Sequence, residues 1–128
     1  QRISAALIME TKDSGAPGEI IFVAPTDTVA AALEKMNESG VTQLPVLEDH
    51  HSVGSLRESR VLAKLLQNRD LLESPVSVVM DESFPVLEVD ANLGEIKRRL
   101  QKQPAVLIED FKRITGIITR SDVLDLQR

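Results

Sequence analysis

The chain has 128 residues, 15 Lys+Arg against 20 Asp+Glu for a formal net charge of -5, no Cys, Trp or Tyr, and three Phe. That size holds one domain, or two small units sharing a core, and excludes two large independent domains. Without cysteine there is no disulfide, thiolate metal site or cysteine nucleophile, and the acidic balance with 2% aromatics disfavours both a phosphate-backbone footprint and a base-stacking platform. Apolar runs of only a few residues rule out a hydrophobic membrane helix, and a soluble, reducing, cytoplasmic setting is the expectation. Opening on Gln1 rather than Met, the chain reads as a piece of a longer protein.

The elements occur twice. A short helical turn ends near Met9 and another near Met80; Ala5 to Glu10 has its counterpart in Val76 to Asp81. A short strand follows, Ile20 to Val23 and then Pro85 to Val89, rich in residues that suit a sheet. The next helix starts at Thr26 or Asp27, carries Val29, Ala32, Leu33 and Met36 at helical spacing, and stops at Gly40. Its counterpart starts at Asp90 or Asn92, places Leu93, Ile96, Lys97 and Leu100 on one side, and ends before Pro104. Strands Gln43 to Leu47 and Val53 to Leu56 are answered by Ala105 to Ile108 and Ile114 to Thr119, with polar turns at 48–52 and 109–113. A last helix closes each half, Glu58 to Asn68 with an apolar stripe of Leu62, Leu65 and Leu66, and Ser121 to Gln127.

Aligned blocks put Val46-Leu47-Glu48-Asp49 over Leu107-Ile108-Glu109-Asp110, and Gly54 to Leu62 over Gly116 to Leu124. The first half carries about seven extra residues between Met9 and Phe22, including Gly15, Pro17 and Gly18; the second is about three residues shorter after its first helix. The expected fold is therefore α/β (α+β): two pseudo-symmetric repeats, 1–72 and 73–128, each a small sheet with packed helices, joined sheet to sheet. Met9 and Met80 read as core plugs.

The segment Gly116-Ile117-Ile118-Thr119-Arg120-Ser121-Asp122 is the informative one. Thr-x-x-Asp at a strand-to-helix junction is an N-cap pattern. It equally sets a hydroxyl beside a carboxylate, and a carboxylate accepting from vicinal hydroxyls is how proteins hold a ribose. Both readings stand at this point.

The paired units resemble tandem cystathionine beta-synthase (CBS) domains, the pair called a Bateman module, over nearly the whole chain. Gly116, Thr119 and Asp122 meet the Gly-x-x-Thr-x-x-Asp pattern, supported by Gly40-Val41-Thr42-Gln43-Leu44-Pro45-Val46. With Gly54-Ser55-Leu56, Glu58 and Leu62, these segments are most similar to the C-terminal regulatory module of a bacterial cystathionine beta-synthase. The resemblance implies a non-catalytic module that senses an adenosyl ligand and controls an attached enzyme. That enzyme would be a pyridoxal-phosphate-dependent lyase of cysteine biosynthesis, and the ligand S-adenosylmethionine, with AMP, ADP or ATP as the alternative and no covalent cofactor. In a cleft between the repeats, Thr119 and Asp122 would hold the ribose. Ile20, Ile21, Val41, Leu44 and Ile118 would lie against adenine through side chains or backbone. Thr42 and Gln43 would face the sulfonium, amino-acid or phosphate end, and Arg120 would be the basic residue nearest Thr119. The resemblance also implies a homodimer through the helices Val29 to Glu38 and Leu93 to Lys102.

The second cleft departs from the pattern, since Arg57 and Arg60 stand where hydroxyl and carboxylate belong. Two donors cannot grip a diol in the same way, and a salt bridge to Glu58 or to an anion is their expected use. Elsewhere nothing assembles catalysis or a metal site: His50 and His51 sit in a polar turn, and Lys97-Arg98-Arg99 is a short exposed helix face. A ligand-free dimerisation module is the remaining rival.

Overall fold

The computed structural model describes residues 3–12 and 20–126. The insertion with Gly15, Pro17 and Gly18, and the helix end at Gln127, lie outside the described residues. The chain divides into two compact units: a middle unit, Ile21–Ser83, and a split unit formed by the segment up to Ile20 together with Phe84 onward.

In the middle unit, α2 (Val29–Ser39) precedes an antiparallel hairpin of β1 (Gln43–Glu48) and β2 (His51–Arg57), then α3 (Glu58–Gln67). Two 3-10 turns follow, Arg69–Glu73 and Val76–Val78. Its core joins Val23, Val29, Ala32 and Met36 to Leu44, Val46, Leu56, Val61, Val76 and Val79. The split unit holds α1 (Ala5–Thr11), β3 (Val86–Glu88), α4 (Leu93–Leu100), β4 (Ala105–Asp110), β5 (Arg113–Thr119) and α5 (Arg120–Asp125). Here β3 runs parallel to β4 and β4 antiparallel to β5, around Ala5, Ile8, Leu87, Ile96, Leu100, Val106, Ile108, Ile118 and Val123.

The compact units and the sequence repeats are different divisions of the chain. Each helical turn docks on the helix start of the other repeat by matching backbone bonds. Ala5 N–H donates to the Ala91 carbonyl at 2.8 Å and Leu93 N–H to the Ile3 carbonyl at 3.0 Å. Val76 N–H donates to the Asp27 carbonyl at 2.7 Å and Val29 N–H to the Ser74 carbonyl at 2.9 Å. The sequence repeat is thus visible as two units of like construction, each completed by the opening turn of the other repeat.

The structure corrects several local expectations. The first helix is capped by Thr28, whose Oγ1 accepts from Ala31 N–H at 3.1 Å, not by Thr26 or Asp27. Asp27 instead turns back, its Oδ2 accepting from Ala24 N–H at 2.8 Å. Asn92 caps α4 as expected, accepting from Glu95 N–H at 2.9 Å, and Gly40 ends α2 in the left-handed region at φ 69°. Lys97 is exposed rather than part of the apolar side of α4. Of the expected Leu62/Leu65/Leu66 stripe only Leu65 packs against the core, beside buried Val61, while Leu62 is 45% and Leu66 89% exposed.

The strand expected at Ile20 to Val23 shrinks to one rung, Val23 beside Val46. Val23 N–H donates to the Pro45 carbonyl and Leu47 N–H to the Val23 carbonyl. In the split unit the next rung is made by Leu107 N–H on the Pro85 carbonyl, at 2.8 Å. The residue matching Leu107 is Pro45, which has no N–H, so the ladder cannot continue toward Ile21.

Hairpin register moves the repeat alignment by one residue. Val46 faces Gly54 and Ile108 faces Gly116, each followed by a bulge, so Val46 matches Ile108 rather than Leu107. The turns then coincide: Asp49 and His50 have φ 52° and 65°, Phe111 and Lys112 have φ 50° and 64°. Matching the acidic pairs Glu48-Asp49 and Glu109-Asp110 by composition had hidden this. The second repeat is accordingly two residues shorter after its helix, not three, as the cap and strand starts show.

Candidate functional site

The β5–α5 junction is built by alternation along β5. Gly116 and Ile118 turn inward, so Thr119 ends the strand half-buried, at φ -112° and ψ 171°, just as α5 begins. Three residues on, the Asp122 carboxylate reaches back over this first turn. Its Oδ2 accepts from Thr119 N–H at 2.9 Å and from the Thr119 hydroxyl at 3.2 Å. The two residues therefore act as one polar unit. Sequence reasoning set capping against ligand holding; the carboxylate caps the turn with Oδ2, and Oδ1 accepts from no group among the described residues. The Asp122 side chain is 18% exposed.

A third donor was not foreseen. Lys12 Nζ lies 3.2 Å from the same Asp122 Oδ2 and also donates to the Ile117 carbonyl, with the lysine side chain 14% exposed. The reason is legible in the middle unit. There the carbonyl matching Ile117 is that of Ser55, which accepts from Asp81 N–H at 2.8 Å. In the split unit α1 runs on through Thr11, so among the described residues no backbone amide is set to pair that way, and the ammonium of Lys12 takes the carbonyl. A lone lysine behind a short helix carries no motif; only the comparison of the two units exposes it.

The middle unit has the mirror-charged arrangement. Arg60, matching Asp122, places Nη1 3.6 Å from Asp81 Oδ2. For Arg60 the carboxylate partner is Asp81 and not its neighbour Glu58. Cation on the helix and carboxylate on the segment docked beside it is the reverse of Asp122 with Lys12.

A family model described as CBS domain matches residues 16–67 and 76–128. The chain belongs to the CBS-domain family. Among solved structures, the CBS-domain containing protein ATU1752 from Agrobacterium tumefaciens superposes with a TM-score of 0.84 at 15% identity, covering 100% of this chain and 96% of that one. The CBS-pair protein CBSX2 from Arabidopsis thaliana gives 0.80 at 23% identity, over 99% and 95%. These likenesses show the shared fold. An inosine-5′-monophosphate dehydrogenase from Rhodopirellula baltica is 28% identical over 108 residues, 81% of this chain but 19% of that protein. The chain spans about a fifth of the length of the curated relatives it matches.

The tandem CBS fold places the other expected contact residues as follows. Leu44 and Ile118 are fully buried in the cores of their own units, so only their backbone remains for a ligand. Val41 packs partly buried against the middle core, Ile20 is half-buried and Ile21 is 40% exposed. The Thr42 hydroxyl donates to Gln43 Oε1 at 3.0 Å on the surface of the middle unit, while the Thr42 carbonyl accepts from Glu58 N–H. Arg120 is tied down: its Nε donates to the Leu100 carbonyl at 2.7 Å, satisfying the C-terminus of α4. Arg57 ends β2 at the start of α3 without capping it. No group of three or more His, Asp or Glu placed to hold a metal occurs among the described residues, and no helix there is long and apolar enough to cross a membrane.

Proposed function

We propose that this CBS pair is a regulatory sensing module for an adenosyl ligand, with Thr119 and Asp122 holding the ribose diol. The observation that carries this is the division of labour in the Asp122 carboxylate: Oδ2 is engaged by Thr119 and Lys12, and among the described residues nothing donates to Oδ1, the acceptor we assign to a hydroxyl. The module itself does no chemistry; it changes the activity of whatever it is joined to through a difference in ligand affinity between two states.

Two of the matched curated relatives are inosine-5′-monophosphate dehydrogenases, which supports a nucleotide over S-adenosylmethionine and leaves the parent activity open. Self-association through exposed side chains of α2 and α4 is a separable part of the proposal, tested by sedimentation with and without ligand.

Calorimetric titration with AMP, ADP, ATP and S-adenosylmethionine tests the reading. Saturable binding of at least one, weakened about tenfold or more in Asp122→Asn with the fold retained, is expected. Heat from none of the four, or equal affinity in the folded variant, overturns it.

A further inference from the structure

We infer that Met9 makes the end of α1 sensitive to oxidation: converting its thioether to the sulfoxide frees that end from β5 and parts Lys12 from Asp122. Cys, Trp and Tyr are all absent, so the three methionines are the readily oxidised side chains of this chain. Met36 is sealed in the middle core at 1% exposed, whereas Met9 and Met80 are half-buried. The oxidant is a hydroperoxide. A sulfur lone pair attacks one peroxide oxygen, and the S–O bond forms as the O–O bond breaks. The proton passes to the departing oxygen, which leaves as water or an alcohol, and the two electrons that sulfur gives up go to the peroxide.

The two half-buried thioethers differ in what else holds their turns. The start of α1 is fixed by backbone, with Ala5 N–H on the Ala91 carbonyl and Ala6 N–H on the Val89 carbonyl, and Ala5 and Ile8 are fully buried. Its end makes no backbone bond to β5 among the described residues. There α1 meets the strand and its junction through the Met9 sulfur on bare Gly116, and through the Lys12 ammonium on the Ile117 carbonyl and Asp122. In the middle unit the Met80 turn is pinned independently. Asp81 and Ser55 exchange backbone bonds in both directions, at 2.8 and 2.9 Å, and Lys64 Nζ donates to the Val79 carbonyl at 2.6 Å. A sulfoxide is polar and adds an oxygen where the thioether lies flush on glycine backbone, so it turns toward water. At Met80 the turn stays docked. At Met9 the end of α1 is left to the Lys12 contacts, whose ion pair salt weakens.

The test treats the whole chain, with Met9→Leu and Met80→Leu as volume-conserving variants that cannot be oxidised there, with dilute hydrogen peroxide. Peptide mass spectrometry follows the added oxygen and amide NMR the backbone. Met9 and Met80 should react about tenfold or more faster than Met36, which waits on opening of the core. In Met80→Leu, oxidation should shift the amides of Met9 to Lys12 and Ile117 to Asp122 and speed hydrogen exchange at the end of α1, while Ala5 keeps its place. In that background Lys12→Met should lower the melting temperature before oxidation and change it little afterwards. Methionine sulfoxide reductases of both epimer specificities should restore the starting spectrum. In Met9→Leu, oxidised Met80 should leave the Ser55 and Asp81 amides protected. Met9 reacting no faster than Met36, or Lys12→Met lowering the melting temperature equally once Met9 is oxidised, overturns the inference. So do the same split-unit shifts under peroxide in Met9→Leu.

Discussion

Met80 lies over the bare backbone of Gly54, where a Cβ would come within 2.5 Å of its sulfur. The same contact recurs between Met9 and Gly116, with the Met9 sulfur 2.7 Å from such a Cβ. The glycines are therefore a packing requirement of the two hairpins, each seating the methionine from the turn that docks beside it. The two sites are not equally tolerant. At Gly54 the Asp81 carbonyl also stands 3.0 Å away, fixed by its bond from Ser55 N–H, whereas Gly116 meets only the Met9 side chain. Gly54→Ala should cost about 1–3 kcal/mol and Gly116→Ala less, because a methionine end can swing aside and a paired carbonyl cannot. Urea unfolding of both variants checks the order; equal losses would refute the backbone argument.

Both hairpin turns hold two consecutive non-glycine residues at positive φ, Asp49-His50 and Phe111-Lys112. Asp tolerates this region better than Phe, and Phe111 is 90% exposed, so its ring gains nothing from packing in return. Lys112→Gly, or the pair Phe111→Asn with Lys112→Gly, should stabilise the chain by about 0.5–1 kcal/mol. His50→Gly should help less beside an aspartate that already suits its place. Thermal melts of the three variants decide it, and a lowered melting temperature for Lys112→Gly would count against the turn assignment.

The repeat, the Thr119/Asp122 pair and the Arg57/Arg60 departure were legible because each is carried by residues close in sequence, whose spacing fixes their mutual geometry. What was not legible depended on partners far along the chain. The truncated strand at Ile20 to Val23 reads as apolar and β-prone, yet its length is set by a missing N–H on Pro45 in the neighbouring strand. The stripe on α3 has helical spacing, but periodicity does not say which side faces inward, and the inward side runs through Val61 and Leu65 with Leu62 and Leu66 left exposed. The one-residue alignment slip arose because like charges were matched, while a bulge and a two-residue turn determine register. Lys12 was invisible because the carbonyl it satisfies lies 105 residues away.

Helix capping offers a clean check on which residue starts α2. Thr28 accepts from Ala31 N–H, and Thr26, exposed in the preceding turn, is no part of the cap. Thr28→Ala should lose about 1 kcal/mol, and Asn92→Ala a similar amount from α4. Thr26→Ala should stay within about 0.5 kcal/mol of wild type. A loss at Thr26 matching that at Thr28 would place the cap where composition alone had put it.

The Lys12–Asp122 contact should also be measurable without any ligand. Each side chain is mostly withdrawn from water, but neither is sealed, so the ion pair gains more than an exposed one and is still weakened by salt. Asp122→Asn removes the charge and leaves one carbonyl oxygen to serve Thr119 N–H, the Thr119 hydroxyl and Lys12. A loss of about 1–2 kcal/mol is expected. Lys12→Met releases the Ile117 carbonyl to water and should cost about 1 kcal/mol or less. The double variant should be less unstable than the sum of the two, by about 0.5–1 kcal/mol, since the second substitution removes a partner already lost. That coupling should shrink in high salt. Strict additivity at low salt would mean the ammonium is held by the Ile117 carbonyl alone, and the electrostatic link between Lys12 and the Asp122 carboxylate would be lost.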